Sequence, residues 1–527
     1  MWYDNRDKTH KKEVCFMPRS SGVLLSVTSL PSDYGIGCFS QEAYDFVDWL
    51  VKAGQTYWQI LPLVPTCYGP SDDSPYQSYS AFAGNPYFIC LDDLIKEGVL
   101  TKQECQAVDF GTDPERVDYD KLHQHRLKLL HKAYERSNIS HSAEYQQFLQ
   151  KNNWWLQDYA LFMALKDFFG GDCWRQWPKD ISLRWNYALD YYREKLYFDI
   201  EFHQYLQFQF FRQWEKLKTY ANRRGIRIIG DLPIYVSLDS SDVWAHPELF
   251  QLDENNIPTA IAGCPPDAFS ADGQVWGNPL YRWDLHQATG YDWWVSRLHQ
   301  SFRLYDVVRI DHFRGMDEYF SIPYGAETAR DGHWEKGPGM ELFYAVRRRL
   351  GDKQLIAEDL GHMTDSVRRL VHESGFPNMK VIQFGFDVHD IQKTNDHLPH
   401  NYDRHCVAYT GTHDNETVQG WYMGMTAEEK LLLRRYIGDE VTPDKEMYRS
   451  ILRMTMATTA DTCILPVQDV LGLPNTARMN KPSTVKSNWR WRLDGKLLTD
   501  KAQKDLLELT QRYGRYNWQA VQEPEEE

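Results

Sequence analysis

The chain has 527 residues, 42% of them hydrophobic and 25% charged, a balance that buries a large core and excludes extended disorder. Its formal net charge is -15 and its basic residues are scattered singly or in short groups such as Arg347-Arg348-Arg349, so it offers no positive field to a nucleic acid or an anionic membrane. No run reaches the roughly 18 apolar residues of a membrane span.

The nine cysteines include no C-x-x-C pair and make neither a disulfide framework nor a zinc-ribbon pattern. Met1 to Ser20 lack an apolar signal-like stretch, so the expected setting is the cytoplasm, with reduced thiols. Aromatic residues are abundant at 14%, with 19 Trp and 32 Tyr. Core packing uses many of them, and a site that stacks sugar rings needs the same flat faces with polar rims.

Short apolar runs ending in polar or acidic residues recur, with helical patterns between some of them, which predicts βα units. The first strand, Val23–Val27, is followed by a helix over Gln41–Ala53, and the second strand is Thr56–Leu61. Amphipathic helical pattern from Glu115 to Arg224 then intervenes, so a mainly helical insertion is placed over about 65–224. The third strand is Arg227–Asp231. A second insertion, about 238–304, holds Gly263-Cys264-Pro265-Pro266 and Gly273-Gln274-Val275-Trp276-Gly277; it reads as irregular loop and as a candidate lid. Strands Asp306–Asp311, Gln354–Glu358, Met379–Phe386, Cys406–Thr410 and Thr462–Val467 complete a set of eight, with helices over Gly339–Leu350 and Thr364–Glu373. The expected fold is α/β, a (β/α)8 TIM barrel with large inserted subdomains after strands 2 and 3. Residues 21–520 form its single catalytic domain, 1–20 are an N-terminal extension, and 521–527 are a solvated acidic tail.

In a parallel barrel the chemistry projects from the C-terminal strand ends. Four acids stand there: Asp231, Asp311, Glu358 and Asp414, in Gly230-Asp231-Leu232-Pro233, Arg309-Ile310-Asp311-His312, Ala357-Glu358-Asp359 and Thr412-His413-Asp414-Asn415. Any one of them alone reads equally well as a helix N-cap; four on separate strands are harder to read so. Arg309 and Asp311 lie two apart and face the lumen together. A guanidinium there favours the ionised carboxylate of a nucleophile, although a lumen salt bridge fits the same spacing. Glu358 suits a raised pKa and general acid work, and its neighbour Asp359 fits the same logic. Two carboxylates a short distance apart meet the needs of glycosidic cleavage with retention, one attacking the anomeric carbon and the other protonating the leaving oxygen. Asp414 and His413 suit sugar hydroxyls, and Tyr76 and Trp276 suit stacking. The Trp154-Trp155 pair reads as packing, and Gly35-Ile36-Gly37 lacks the third glycine of a dinucleotide turn.

These motifs together resemble the amylomaltases or disproportionating enzymes, 4-α-glucanotransferases related to the α-amylase clan. The resemblance runs from about Ser21 to about Asn488 through Ser29-Leu30-Pro31, Ser74-Pro75-Tyr76-Gln77, Asn85-Pro86, Gly230-Asp231-Leu232-Pro233, Pro265-Pro266-Asp267, Trp276-Gly277-Asn278-Pro279, Arg309-Ile310-Asp311-His312-Phe313-Arg314-Gly315, Ala357-Glu358-Asp359-Leu360-Gly361 and Thr412-His413-Asp414-Asn415. It implies that Asp311 is the nucleophile, Glu358 the acid/base and Asp414 the transition-state stabiliser, with Asp231, Arg309 and His413 in support. It also implies that Tyr76, Asp267 and Trp276 contact the glucan. The implied partners are maltooligosaccharides and other 1,4-α-glucans, with neither metal nor cofactor. Two rivals share some of these residues: an enolase-type barrel with Mg²⁺ on Asp231, Asp311 and Glu358 and His413 as base, and a glucan-binding protein without chemistry. The second is expected to lack an acid at Asp311 or Glu358, and both are present.

Overall fold

The computed structural model describes residues 19–69, 73–266, 270–361, 363–390 and 392–520. Among the described residues twelve strands follow one another: β1 (Ser20–Leu24), β2 (Tyr57–Gln59), β3 (Arg227–Leu232), β4 (Ala260–Cys264), β5 (Gln274–Pro279), β6 (Val307–Ile310), β7 (Glu318–Pro323), β8 (His333–Lys336), β9 (Leu355–Ala357), β10 (Asn378–Val381), β11 (Cys406–Tyr409) and β12 (Thr462–Pro466). Eight of them close into a barrel in the order β1-β12-β11-β10-β9-β6-β3-β2, each parallel to its neighbours. All eight expected strands are barrel strands, so the fold is the (β/α)8 barrel. Their ends differ by a few residues. The sixth stops at Val381 and continues as a 3-10 turn, Ile382–Phe384, and the first ends at Leu24 before another 3-10 turn, Val27–Ser29.

Both faces of the barrel wall are covered, by lumen side chains and by outer helices, and strands such as VVRI and CVAY are accordingly buried throughout. The helices Gln41–Lys52, Met340–Leu350 and Asp365–Ser374 form part of the outer ring. Between β2 and β3 lie two long helices, Ala143–Phe168 and Tyr197–Arg223. The second also contacts β3 and the helix Gln41–Lys52, and so belongs to the barrel's own wall. Two of its buried amides bind the backbone beside β2. Gln207 accepts from the Gly84 N–H at 2.7 Å and donates to the Gly84 carbonyl at 2.9 Å, and Gln213 accepts from the Cys90 N–H at 2.6 Å. Of the tryptophan pair, Trp155 is packed, whereas Trp154 is about half exposed with its ring against Phe82.

Residues 263–264 and 274–277 are strand rather than the irregular loop expected of them. β4 and β5 pair antiparallel, Gly263 opposite Val275 and Cys264 opposite Gln274, and with β7 and β8 they form a four-stranded sheet in the order β5-β4-β7-β8. Gly263 is a packing requirement: a Cβ there would come within 2.1 Å of the Gln274 carbonyl. Trp276 rides on β5, at the point where its register with β4 shifts.

A second glycine is fixed by packing directly beside Asp231. A Cβ on Gly230 would approach the buried Tyr305 ring to 2.1 Å, and the Tyr305 hydroxyl accepts from the Leu63 N–H at 3.2 Å. Gly230→Ala is expected to destabilise the fold by about 1–3 kcal/mol through overpacking, read as a lowered thermal midpoint; an unchanged midpoint would show that the ring moves aside freely.

Candidate active site

The site is built at the C-terminal ends of neighbouring strands. Asp231 on β3 and Arg309 on β6 are register partners, both pointing into the lumen. Arg309 Nη1 lies 2.7 and 2.8 Å from the two Asp231 oxygens and 3.0 Å from Asp311 Oδ1. Its Nε faces Met379 Sδ on β10 at 3.3 Å. Asp231 is wholly enclosed, whereas the Asp311 side chain remains 28% exposed at the cleft.

Glu358 follows β9 and is buried. Its Oε2 accepts from the His312 N–H at 2.6 Å and its Oε1 from the Leu360 N–H at 2.7 Å. The first bond depends on a left-handed residue, His312 at φ 50°, which turns the chain after Asp311 back toward β9. Asp359 points the other way. Its oxygens accept from the Met379 N–H at 3.1 Å and from Asn378 Nδ2 at 2.8 Å, tying it into the seam between β9 and β10.

Burial is the largest influence on both acids next to Arg309. It pushes Glu358 up to about 8 against the pull of the guanidinium, with the Asp311 charge adding to the rise. It pushes Asp311 up to about 6, again against Arg309. The guanidinium favours the ionised form and restrains the Asp311 rise without reversing it. Near neutral pH the order leaves Asp311 ionised and Glu358 protonated. Burial also pushes His312 down to about 3, so that ring is neutral.

Tyr76 joins strands far apart in sequence. Its hydroxyl donates to Asp231 Oδ2 at 2.7 Å and lies 2.8 Å from His413 Nε2. A hydroxyl whose hydrogen goes to a carboxylate accepts from the imidazole, so Nε2 carries the His413 proton. The Tyr76 ring stacks on His413 at 5.3 Å, and Trp489 lies against both. Asp414, in the turn after β11, accepts from Asn480 Nδ2 at 2.6 Å and lies 3.5 Å from His413 Nε2. Trp276 stands with its edge toward the His312 ring, 4.9 Å away.

Tyr76, Trp276, Asp311, His413 and Asp414 line one open cleft, joined by Tyr235, Gln274, Asn480 and Trp489. Asp231 and Arg309 bind Tyr76 and Asp311 from beneath. Glu358 does not line the cleft in this conformation. Asp267 lies outside the described residues. Asn480 and Trp489 escape the sequence reading because they stand on an aperiodic segment after the last strand, where neither strand phase nor helix pattern assigns a direction.

A profile of the family described as 4-alpha-glucanotransferase matches residues 25–499. The chain belongs to the 4-alpha-glucanotransferase family. A 4-alpha-glucanotransferase of Clostridium butyricum is 46% identical over 493 residues, spanning 93% of this chain and all of that one. One from Thermus thermophilus is 45% identical, spanning 90% and 95%. The solved amylomaltase of Streptococcus agalactiae in complex with acarbose superposes with a TM-score of 0.90 at 44% identity, covering 94% of this chain and all of that one. Members of this family are glycosyl-transferring enzymes, which sets aside the non-catalytic reading. The enolase-type reading also fails on geometry, because the Arg309 guanidinium occupies the space between Asp231 and Asp311 where a Mg²⁺ ion would sit.

Because Asp231 is enclosed with Arg309 as its charge partner, Arg309→Met is expected to cost about 3–5 kcal/mol of stability. Adding Asp231→Asn to that chain should restore part of the loss, since it removes the orphaned charge. Calorimetric unfolding of both variants checks this; simply additive losses would contradict the pairing.

Proposed function

We propose that the protein moves segments of 1,4-α-glucan onto a glucose or glucan acceptor by a retaining double displacement, with Asp311 as nucleophile, Glu358 as acid/base and Asp414 as stabiliser of the oxocarbenium-like transition state. The observation that carries this reading is the placement of two acids at neighbouring strand ends: Asp311 open to the cleft and held by Arg309 at 3.0 Å, and Glu358 buried behind it, where burial pushes its pKa further up. Glu358 gives its proton to the leaving oxygen while Asp311 attacks, then takes a proton from the acceptor hydroxyl as the glycosyl–Asp311 bond breaks. To reach the glycosidic oxygen its side chain swings away from the His312 and Leu360 N–H groups.

Asp231 and Arg309 fix the nucleophile, and His413 stands beside Asp414 at the cleft where sugar hydroxyls are held. Tyr76, Asp267 and Trp276 are assigned to glucan contact. Trp276 on β5, together with Trp489 in the same cleft, favours a stacked acceptor over water by raising its effective concentration. The chemistry requires carboxylates alone, without metal or cofactor. Among the described residues no helix is long and apolar enough to cross a membrane and eight cysteines are free thiols, in keeping with a cytoplasmic setting.

With maltotriose as sole substrate the products are expected to be glucose and a ladder of longer maltooligosaccharides, with little gain in reducing ends. A steady rise in reducing ends without longer products would make the protein a hydrolase. Asp311→Asn is expected to lower turnover by about three or more powers of ten with the fold intact; near-normal turnover would remove Asp311 from the role.

The rate should rise with pH as Asp311 ionises near 6 and fall as Glu358 loses its proton near 8. Glu358→Gln should abolish the alkaline limb. A limb that survives in that variant belongs to another group.

A further inference from the structure

Asp414 has an open side chain, 47% exposed, and stands in a turn rather than a strand. The turn is fixed by Thr412, whose N–H donates to Asn415 Oδ1 at 2.9 Å and whose Oγ1 accepts from the Asp414 N–H at 3.2 Å. Those bonds set the backbone and leave the carboxylate to rotate. The group that fixes the carboxylate is Asn480, whose Nδ2 donates to Oδ1 at 2.6 Å.

Asn480 is itself held firmly. Its N–H donates to the His413 carbonyl at 3.1 Å. The Arg478 guanidinium clamps both partners, Nε donating to the Asn480 carbonyl at 2.7 Å and Nη2 to the Asp414 carbonyl at 2.6 Å. The segment beyond closes on itself, the Trp489 N–H donating to the Met479 carbonyl at 2.8 Å and the Lys481 N–H to Asn488 Oδ1 at 2.9 Å. Three non-glycine residues within it, Ser483, Lys486 and Trp489, have φ of 62°, 81° and 62°. Such conformations persist only where the surroundings over-determine them.

We propose that Asn480 is a positioning residue that aligns the Asp414 carboxylate for transition-state stabilisation without neutralising it. The inference rests on the role given to Asp414 above. Asp231 and Asp414 show the contrast: the first is matched by a guanidinium and its charge is spent there, whereas the second is oriented by a neutral amide and keeps its charge for the reacting carbon. The titratable and charged groups facing Asp414 are His413, with Nε2 at 3.5 Å, Tyr76, Asp311 and Arg478. Arg478 donates to backbone carbonyls through Nε and Nη2, and Tyr76 donates to Asp231 while accepting from His413.

The test is maltotriose disproportionation across pH with three variants. Asn480→Ala frees the carboxylate and is expected to lower kcat by about ten- to a hundredfold, with KM within about threefold. Asn480→Asp preserves shape and puts a second carboxyl against Asp414, so the pair shares one proton. While it does, the introduced carboxyl donates as the amide did; once that proton leaves, the donor is lost and like charges repel. The alkaline limb of this variant should therefore move to lower pH by about one unit or more, which a merely structural role would not produce. An unchanged kcat in Asn480→Ala, or an Asn480→Asp profile parallel to the parent's, would overturn the proposal. Asp414→Asn separates the two levels: near-normal turnover there defeats the role of Asp414 itself, whereas an inactive Asp414→Asn beside a normal Asn480→Ala defeats only the positioning.

Discussion

One guanidinium, that of Arg309, stands 4% exposed between Asp231 and Asp311, and the order of the site follows from where it is held. A cation enclosed this deeply is stable only with its charge answered. The answer comes mainly from Asp231, which binds Arg309 with both oxygens and leaves Asp311 a single contact. Asp311 thus stays open to the cleft, with burial raising its pKa and the guanidinium limiting the rise. Glu358, buried deeper and bearing the Asp311 charge beside it, rises further. Two carboxyls a strand apart thereby come to hold opposite protonation states near neutral pH.

The same network reaches the far side of the cleft. Asp231 accepts from Tyr76, Tyr76 meets His413, and His413 neighbours Asp414. Side chains from β3 and β6, from the segment after β2 and from the turn after β11 are thus tied into one hydrogen-bonded arc. The parallel barrel places these residues at one end, and close packing of Gly230 against Tyr305 keeps β3 in line with its neighbour. The antiparallel sheet then adds what the barrel alone lacks, a strand carrying Trp276 to the cleft.

The barrel was legible because buried parallel strands leave compact apolar runs, and all eight were recognised. Their ends were less so, since the change from strand to 3-10 turn at Val381 follows no periodicity. The sheet of β4, β5, β7 and β8 was missed because its glycines, required by close backbone approach at Gly263, look the same in sequence as glycines required by a loop. At the site, the acids announce themselves at strand ends, and the two-residue phase of Arg309 and Asp311 is enough to bring them together. Strand phase left Glu358 and Asp359 open, because that choice depends on a seam contact to β10 and on the turn at His312. Tyr76 was read as a stacking wall; its hydrogen bonds to Asp231 and His413 depend on partners more than 150 residues away in the chain. Asn480 gave no signal, since a side chain on an aperiodic segment acquires direction only from the tertiary contacts around it.

The network around Arg309 sets the protonation order of Asp311 and Glu358. Infrared difference titration of the carboxyl stretches, with Asp311→Asn and Glu358→Gln to assign the bands, measures that order directly. The band lost in Asp311→Asn is expected to titrate near 6 in the parent protein and the band lost in Glu358→Gln near 8. The reverse order, or both carboxyls ionised well below pH 6, would contradict it.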